Sequence, residues 1–250
     1  MQVVILAGGR GSRLGNVTDS IPKPMVEIGG IPILLHIMRI YFKFGYNEFI
    51  ICLGYKGEKI KNYFKNFLDY NSDCIINTGT NEIHYLNKKQ DKFKITLVNT
   101  GVDTGTGGRI KSIINYIQSE NFFLTYGDGL GNINIRDLFK SHLKSKKLVT
   151  FTAVKPPGRF GTIEFNKNKF KSFKEKNHSS WINGGFFIIN KKALKYINNK
   201  KEMWEEEPLK KLVNINQVNA FKHCGDWQCL DNSRDHILLE ELWKRDPFWK

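Results

Sequence analysis

Apolar runs and helical stripes alternate along the first half of the chain. Val3–Leu6 is four consecutive apolar residues rich in β-branched types, the pattern of a strand buried on both faces. Pro32–Phe44 carries Ile33, Leu34, Ile37, Ile40, Tyr41 and Phe44 at helical spacing and stops at Gly45. Glu48–Leu53 reads as a second strand and Gly57–Tyr70 as a second helix, with Ile60, Phe64, Phe67 and Leu68 on one face. Ile95–Asn99 is a third strand, Thr106–Gln118 a helix opened by glycine, and Phe122–Tyr126 a strand that ends at Gly127-Asp128-Gly129. This alternation predicts an α/β fold, a mostly parallel sheet with helices on both faces, in which ligands bind beyond the carboxyl ends of the strands.

From Leu148 the pattern changes to strands with short connections: Leu148–Val154, Phe160–Phe165, Phe170–Phe173 and Gly185–Ile189. They are expected to extend the sheet, since antiparallel edges commonly attach to parallel sheets. Ala193–Asn198 and Pro208–Val213 read as short helices, Val218–Lys222 as a late strand and Ser233–Trp243 as a terminal helix. Asn71–Phe93 has no clear period and is expected to form a protruding arm. With no linker or repeat in 250 residues, one domain is expected, in an alternating part, residues 1–147, and a strand-rich part, 148–250.

A formal charge of +15 raises the question of a nucleic-acid partner. The lysines are scattered through Asn- and Lys-rich turns such as Asn166–Lys171 and Asn198–Lys201 and form no tract, which disfavours one. Cys52, Cys74, Cys224 and Cys229 contain no CxxC and read as free thiols. No basic start leads into a long apolar run, and no 18 apolar residues occur together, so neither a signal peptide nor a membrane span is expected. The expected location is cytoplasmic.

The candidate chemistry sits at strand ends. Gly8, Gly9 and Gly11 allow a tight turn that brings bare backbone N–H groups to an anion, while Arg10 and Arg13 add permanent charge. Pro22 and Pro24 restrict where Lys23 can point. Asp128 projects between two glycines, and Asp231 precedes the terminal helix; hard carboxylate oxygens suit magnesium in company with phosphate. His36 lies on an apolar helix face and His223 beside a strand end, with no carboxylate partner suggested, so both read as structural. No Ser/His/Asp or Cys/His arrangement is apparent.

The glycine loop is neither a Walker motif nor GxGxxG. MQVVILAGGRGSRL with a following KP resembles the N-terminal signature of the sugar nucleotidyltransferases, with Ser12 where threonine is usual. KPMVEIGGIPIL, ICLGYKG, VNTGVDTGTGGRIK, TYGDG, KPPGRFG, WINGGFF, WEEEPL and WQCLDNSRD follow in order. Together they resemble the glucose-1-phosphate cytidylyltransferases along essentially the whole chain. The resemblance implies a Rossmann-like mixed sheet of the nucleotide-diphospho-sugar transferase type with a strand-rich C-terminal extension. It implies CMP transfer from CTP to a phosphorylated acceptor, first glucose 1-phosphate, for sugar-nucleotide supply to capsule or lipopolysaccharide. Mg2+ is the implied cofactor.

Carried over by residue, the resemblance assigns the nucleotide to Leu6, Ala7, Gly8, Gly9, Gly11, Ser12, Arg13, Lys23, Thr106, Arg109 and Gly127. It assigns the acceptor to Tyr126, Glu175, Lys176, Asn183 and Gly184, the metal to Asp128 and Asp231, and catalytic roles to Lys23, Arg13 and Asp128. Arg109 is implied to meet nucleotide, in this family also from a neighbouring subunit, which points to a homo-oligomer. Asn177 stands where proline is usual, and Cys229-Leu230 replaces Pro-Met. Both lie near acceptor or metal positions, so the resemblance also admits a non-sugar acceptor such as phosphoglutamine. A uridylyl- or thymidylyltransferase is the enzymatic rival; a nucleotide- or RNA-binding module is the non-enzymatic one.

Overall fold

Val3–Ala7 (β1) is buried along its length, Val3, Ile5 and Ala7 facing one apolar cluster and Val4 and Leu6 the other. A strand buried on both faces belongs inside a sheet. In the computed structural model, which describes residues 1–15, 17–86, 91–155, 162–166, 169–174 and 181–250, β1 pairs in parallel on both sides. Its companions are β2 (Glu48–Leu53), β3 (Lys94–Asn99), β4 (Asn121–Tyr126), β5 (Val149–Val154), β6 (Ile182–Asn190) and β7 (Val218–His223). The order is β7-β5-β6-β4-β1-β2-β3, and β6 alone runs antiparallel to its neighbours.

Helices cover both faces. α1 (Ile33–Phe42), α3 (Ile135–Ser145) and α4 (Ser233–Arg245) pack onto the cluster under Ile5, while α2 (Thr106–Ser112) packs with Trp204 and Leu212 under Leu6. After β1 the chain moves outward to β2 and β3, then crosses to β4 on the other side of β1. That reversal opens a crevice beyond the carboxyl ends of β1 and β4, where open α/β sheets bind ligands. The antiparallel run of β6 brings its amino end, Ile182 and Asn183, to the same rim.

Several elements differ from the periodicity. The helix expected over Gly57–Tyr70 is two, Gly57–Lys65 and Phe67–Asn71, broken at Asn66 (φ −105°, ψ 28°). The helix expected over Thr106–Gln118 ends at Ser112 and gives way to a 3-10 turn at Ile114–Tyr116, where paired β-branched residues and an asparagine weaken helical preference. The strands expected at Phe160–Phe165 and Phe170–Phe173 appear as Thr162–Asn166 and Lys169–Lys174. They form their own hairpin and do not extend the main sheet; Phe160 and Gly161 lie outside the described residues. Ala193–Asn198 is a 3-10 helix at Lys191–Tyr196. The expected arm contains a separate hairpin, Cys74–Asn77 with Glu82–Tyr85.

His36 works inside the core. Its Nε2 donates to the Ile28 carbonyl at 2.9 Å, and its Nδ1 accepts from Trp249 Nε1 at 3.2 Å, an arrangement only the neutral ring satisfies. Burial above all lowers its pKa from the ordinary 6.5 to about 4. The folded state therefore resists a proton that the unfolded chain accepts. Stability from this group is complete above pH 6.5 and lost as pH falls toward 4, a loss of about 3 kcal/mol. Thermal melts of wild type and His36→Gln across that window are expected to show the steeper acid-side loss in wild type.

Candidate active site

The turn leaving β1 is shaped by what surrounds it. A Cβ at Gly8 would lie 2.2 Å from the Arg109 guanidinium, and Gly11 has φ +67° with its Cβ position 2.8 Å from Lys23 Cβ. Only glycine meets both demands. Arg109 is 4% exposed. Its Nη1 donates to Leu53 O (3.2 Å), Thr100 Oγ1 (2.7 Å) and Gly101 O (2.6 Å), and its Nη2 to Gly8 O and Val102 O (3.1 Å each). Burial lowers its pKa. Bonded to Gly8 O, this arginine braces the glycine loop from beneath and also lines the cavity above it.

Lys23 opens a 3-10 turn over Lys23–Met25 behind the extended Pro22, and Pro24 is buried. Its Nζ donates to Asp128 Oδ2 at 2.6 Å and approaches Asp231 Oδ1 at 3.5 Å; Arg13 Nη1 donates to Asp231 Oδ2 at 2.7 Å. Two carboxylates 103 positions apart thus share one ammonium. Strand pairing explains the meeting: Trp227–Cys229 runs antiparallel to Gly129–Gly131, and Leu230 N donates to the Asp128 carbonyl at 2.8 Å. Asp231 does not cap the terminal helix. Asn232 is the cap, paired with Asp235 in a capping box, which leaves the Asp231 carboxylate facing the cavity. Burial pushes the Asp231 carboxyl up, but the hydrogen bond from Arg13 and the charges of Lys23 and Arg13 outweigh it and hold the pKa below the usual range.

A third wall joins three elements. Tyr126, at the end of β4, donates its hydroxyl proton to Glu205 Oε1, and Thr106 donates to Glu205 Oε2 at 2.6 Å. Asn183 Nδ2 donates to the Tyr126 hydroxyl at 3.2 Å. Burial first, then the Glu205 charge, raises the Tyr126 pKa well above its ordinary value.

These walls enclose a cavity of about 370 Å³, within the range of small-molecule sites. It is lined by Leu6, Ala7, Gly8, Gly9, Gly11, Ser12, Arg13, Lys23, Thr106, Arg109, Tyr126, Gly127, Asp128 and Asp231, all named from the sequence. Pro24, expected only to restrict Lys23, also lines it, as do Thr104 and Met203, which the sequence did not mark. Asn183 reaches the site through Tyr126, and Gly184 accepts from Trp227 Nε1 at 2.8 Å. Glu175 and Lys176 lie outside the described residues. Glu205 lies in the WEEEPL stretch and had no role assigned from the sequence; the adjacent Trp204 is fully buried and anchors the run.

A family profile described as nucleotidyl transferase matches residues 2–230. A glucose-1-phosphate cytidylyltransferase of Salmonella typhimurium is 43% identical over 254 aligned positions, covering 100% of this chain and 99% of the relative. A D-glycero-alpha-D-manno-heptose 1-phosphate guanylyltransferase of Aneurinibacillus thermoaerophilus is 32% identical over 76% of this chain and 75% of its own. Among solved structures, HddC from Yersinia pseudotuberculosis complexed with GMP-PN matches with a TM-score of 0.69 at 24% identity, covering 97% of this chain and 99% of that one. At that identity the likeness is one of fold.

Proposed function

The chain belongs to the nucleotidyl transferase family, and we propose that it transfers CMP from CTP to glucose 1-phosphate, giving CDP-glucose and pyrophosphate. The observation that carries the reading is the single cavity in which the glycine loop, Arg13 and Lys23 face Asp128 and Asp231. The full-length relative supports the choice of cytidine and glucose. Lys23 and Arg13 would bind the triphosphate and neutralise charge developing on the leaving pyrophosphate. Tyr126 and Asn183, joined by a hydrogen bond, would orient the acceptor, with Glu175 and Lys176 assigned to it by motif alone. Residues 1–147 would then serve the donor and 148–250 the acceptor.

The family works with divalent metals, and we assign Mg2+ to Asp128 and Asp231. The donor set fits: two hard carboxylates already converge on one cation, Lys23 Nζ. No cluster of three metal-binding side chains occurs among the described residues, which suits an ion that completes its shell with phosphate oxygens and water. When bound, magnesium would polarise phosphoryl oxygens as a Lewis acid.

Purified protein with magnesium, each of the four nucleoside triphosphates and a panel of phosphorylated acceptors is expected to release pyrophosphate fastest with CTP and glucose 1-phosphate. No release with CTP and any acceptor overturns the reading; faster release with another acceptor reassigns the product. A cytoplasmic location accords with the unbridged thiols of Cys52, Cys74 and Cys224; no helix among the described residues is long and apolar enough to cross a membrane. We also infer a homo-oligomer. One side of the Cys74–Tyr85 hairpin pairs Ile76 with Ile83 and Cys74 with Tyr85. Both isoleucines are more than half exposed, and so small a hairpin is marginal uncovered. A monomer by light scattering would refute this.

A further inference from the structure

We propose that Glu205 sets the choice of base by fixing the direction of the hydrogen bonds along one cavity wall; the inference rests on the cytidyl-transfer reading and deepens it. A carboxylate only accepts, so the hydroxyls of Thr106 and Tyr126 must both donate to Glu205. Each oxygen also accepts from a group that can only donate. Trp204 N–H donates to Thr106 Oγ1 at 2.8 Å, and Asn183 Nδ2 donates to Tyr126 at 3.2 Å. The Asn183 amide cannot be reversed, because its Oδ1 accepts from Gly185 N at 2.9 Å. Both hydroxyl protons are therefore spoken for, and each oxygen keeps one lone pair. Toward a ligand, Thr106 and Tyr126 accept and do not donate.

Arg13, Lys23, Asp128 and Asp231 are joined by ion pairs in the cavity lining, and the cytidyl-transfer reading gives this group the phosphates. Thr104, Thr106 and Met203 line the same cavity, and the proposal sets the base against Thr106. Cytosine carries an exocyclic amino donor where uracil and thymine carry a carbonyl acceptor. A threonine locked as an acceptor welcomes the amino group and sets a lone pair against the carbonyl. Sites built around one hydrogen-bonding group reject the analogue that lacks it far better than apolar pockets reject a change of size.

The test compares kcat/KM for CTP and UTP, with separate kcat and KM values, in wild type, Glu205→Gln and Thr106→Val. Wild type is expected to prefer CTP by at least about a hundredfold. Glutamine keeps the shape but brings a donor of its own, which frees one hydroxyl proton to turn toward the ligand. The preference is expected to fall at least about tenfold, mainly as a weaker KM for CTP and a stronger one for UTP. Thr106→Val removes the acceptor itself and is expected to lose the preference as well, and the double variant to lose no more than the single ones. A purely structural role would harm both nucleotides equally. Unchanged CTP preference in folded Glu205→Gln overturns the proposal; if that variant does not fold, unchanged preference in Thr106→Val does so. A wild type inactive with CTP instead refutes the cytidyl-transfer reading, a separate outcome.

Discussion

Asp128→Asn is expected to lower kcat by roughly a thousandfold while leaving the fold intact. The asparagine has the same shape, and the backbone that holds the position does not depend on the charge: Leu230 N bonds the Asp128 carbonyl, and Gly127 and Gly129 flank it. What disappears is one of the two carboxylates proposed for the divalent ion and the closer of two partners for Lys23. The variant also separates metal binding from nucleotide binding. In the free protein Lys23 is held by carboxylates, and a triphosphate must draw it away from them. Removing the Asp128 charge frees the ammonium and removes a repulsive neighbour of the phosphates. In metal-free buffer the variant should bind CTP at least as tightly as wild type, although its metal affinity falls. Calorimetry with CTP, with and without metal, alongside pyrophosphate release, checks both signs. Wild-type turnover in this variant would remove Asp128 from the metal site.

Sequence legibility followed how local each determinant is. β1 and its glycine loop could be read directly, because a strand buried on both faces appears as an unbroken apolar run and the turn follows it. Asp128 was legible for the same reason, at the end of another such run. Asp231 was found by motif, yet what brings it to Asp128 is pairing between Trp227–Cys229 and Gly129–Gly131, which no local period encodes. The amino end of β6 was missed because Asn183, Gly184 and Gly185 interrupt the apolar pattern; Gly185 holds φ +80° where the strand crosses Tyr126. Glu205 falls in the WEEEPL stretch but receives no role from the sequence, because its two partners, Thr106 and Tyr126, are 99 and 79 residues away. The two-helix break at Asn66 escaped notice because a single residue outside the helical region leaves the apolar stripe of Ile60, Phe64, Phe67 and Leu68 nearly in phase.

Arg109 separates a direct from an indirect route to the nucleotide. TGGR marked it as a ligand of the nucleotide; the structure turns its guanidinium inward, against four carbonyls and the Thr100 hydroxyl. Those oxygens come from the ends of β1 and β2 and from the 100–102 turn, and their lone pairs converge on the guanidinium. A permanent cation among them converts mutual repulsion into a brace, and its charge-assisted bonds are the stronger kind. Arg109→Ala takes the guanidinium donors from Gly101 O and Val102 O, leaves Leu53 O and Gly8 O with their bonds from Thr100 and Tyr55 N, and opens the space that Gly8 and Gly54 were kept bare to provide. The expected cost is about 3 kcal/mol or more, a fall of roughly 10 °C in Tm for a chain of this size. Arg109→Lys should recover only part of it, since an ammonium offers three donors from one atom where the guanidinium spreads five over a plane. KM for CTP should rise in both variants in step with the loss of stability, because the glycine loop rests on this brace. A direct contact alone, from this subunit or a neighbouring one, would raise KM and leave Tm where it was, so melting curves read beside the kinetics decide between the two.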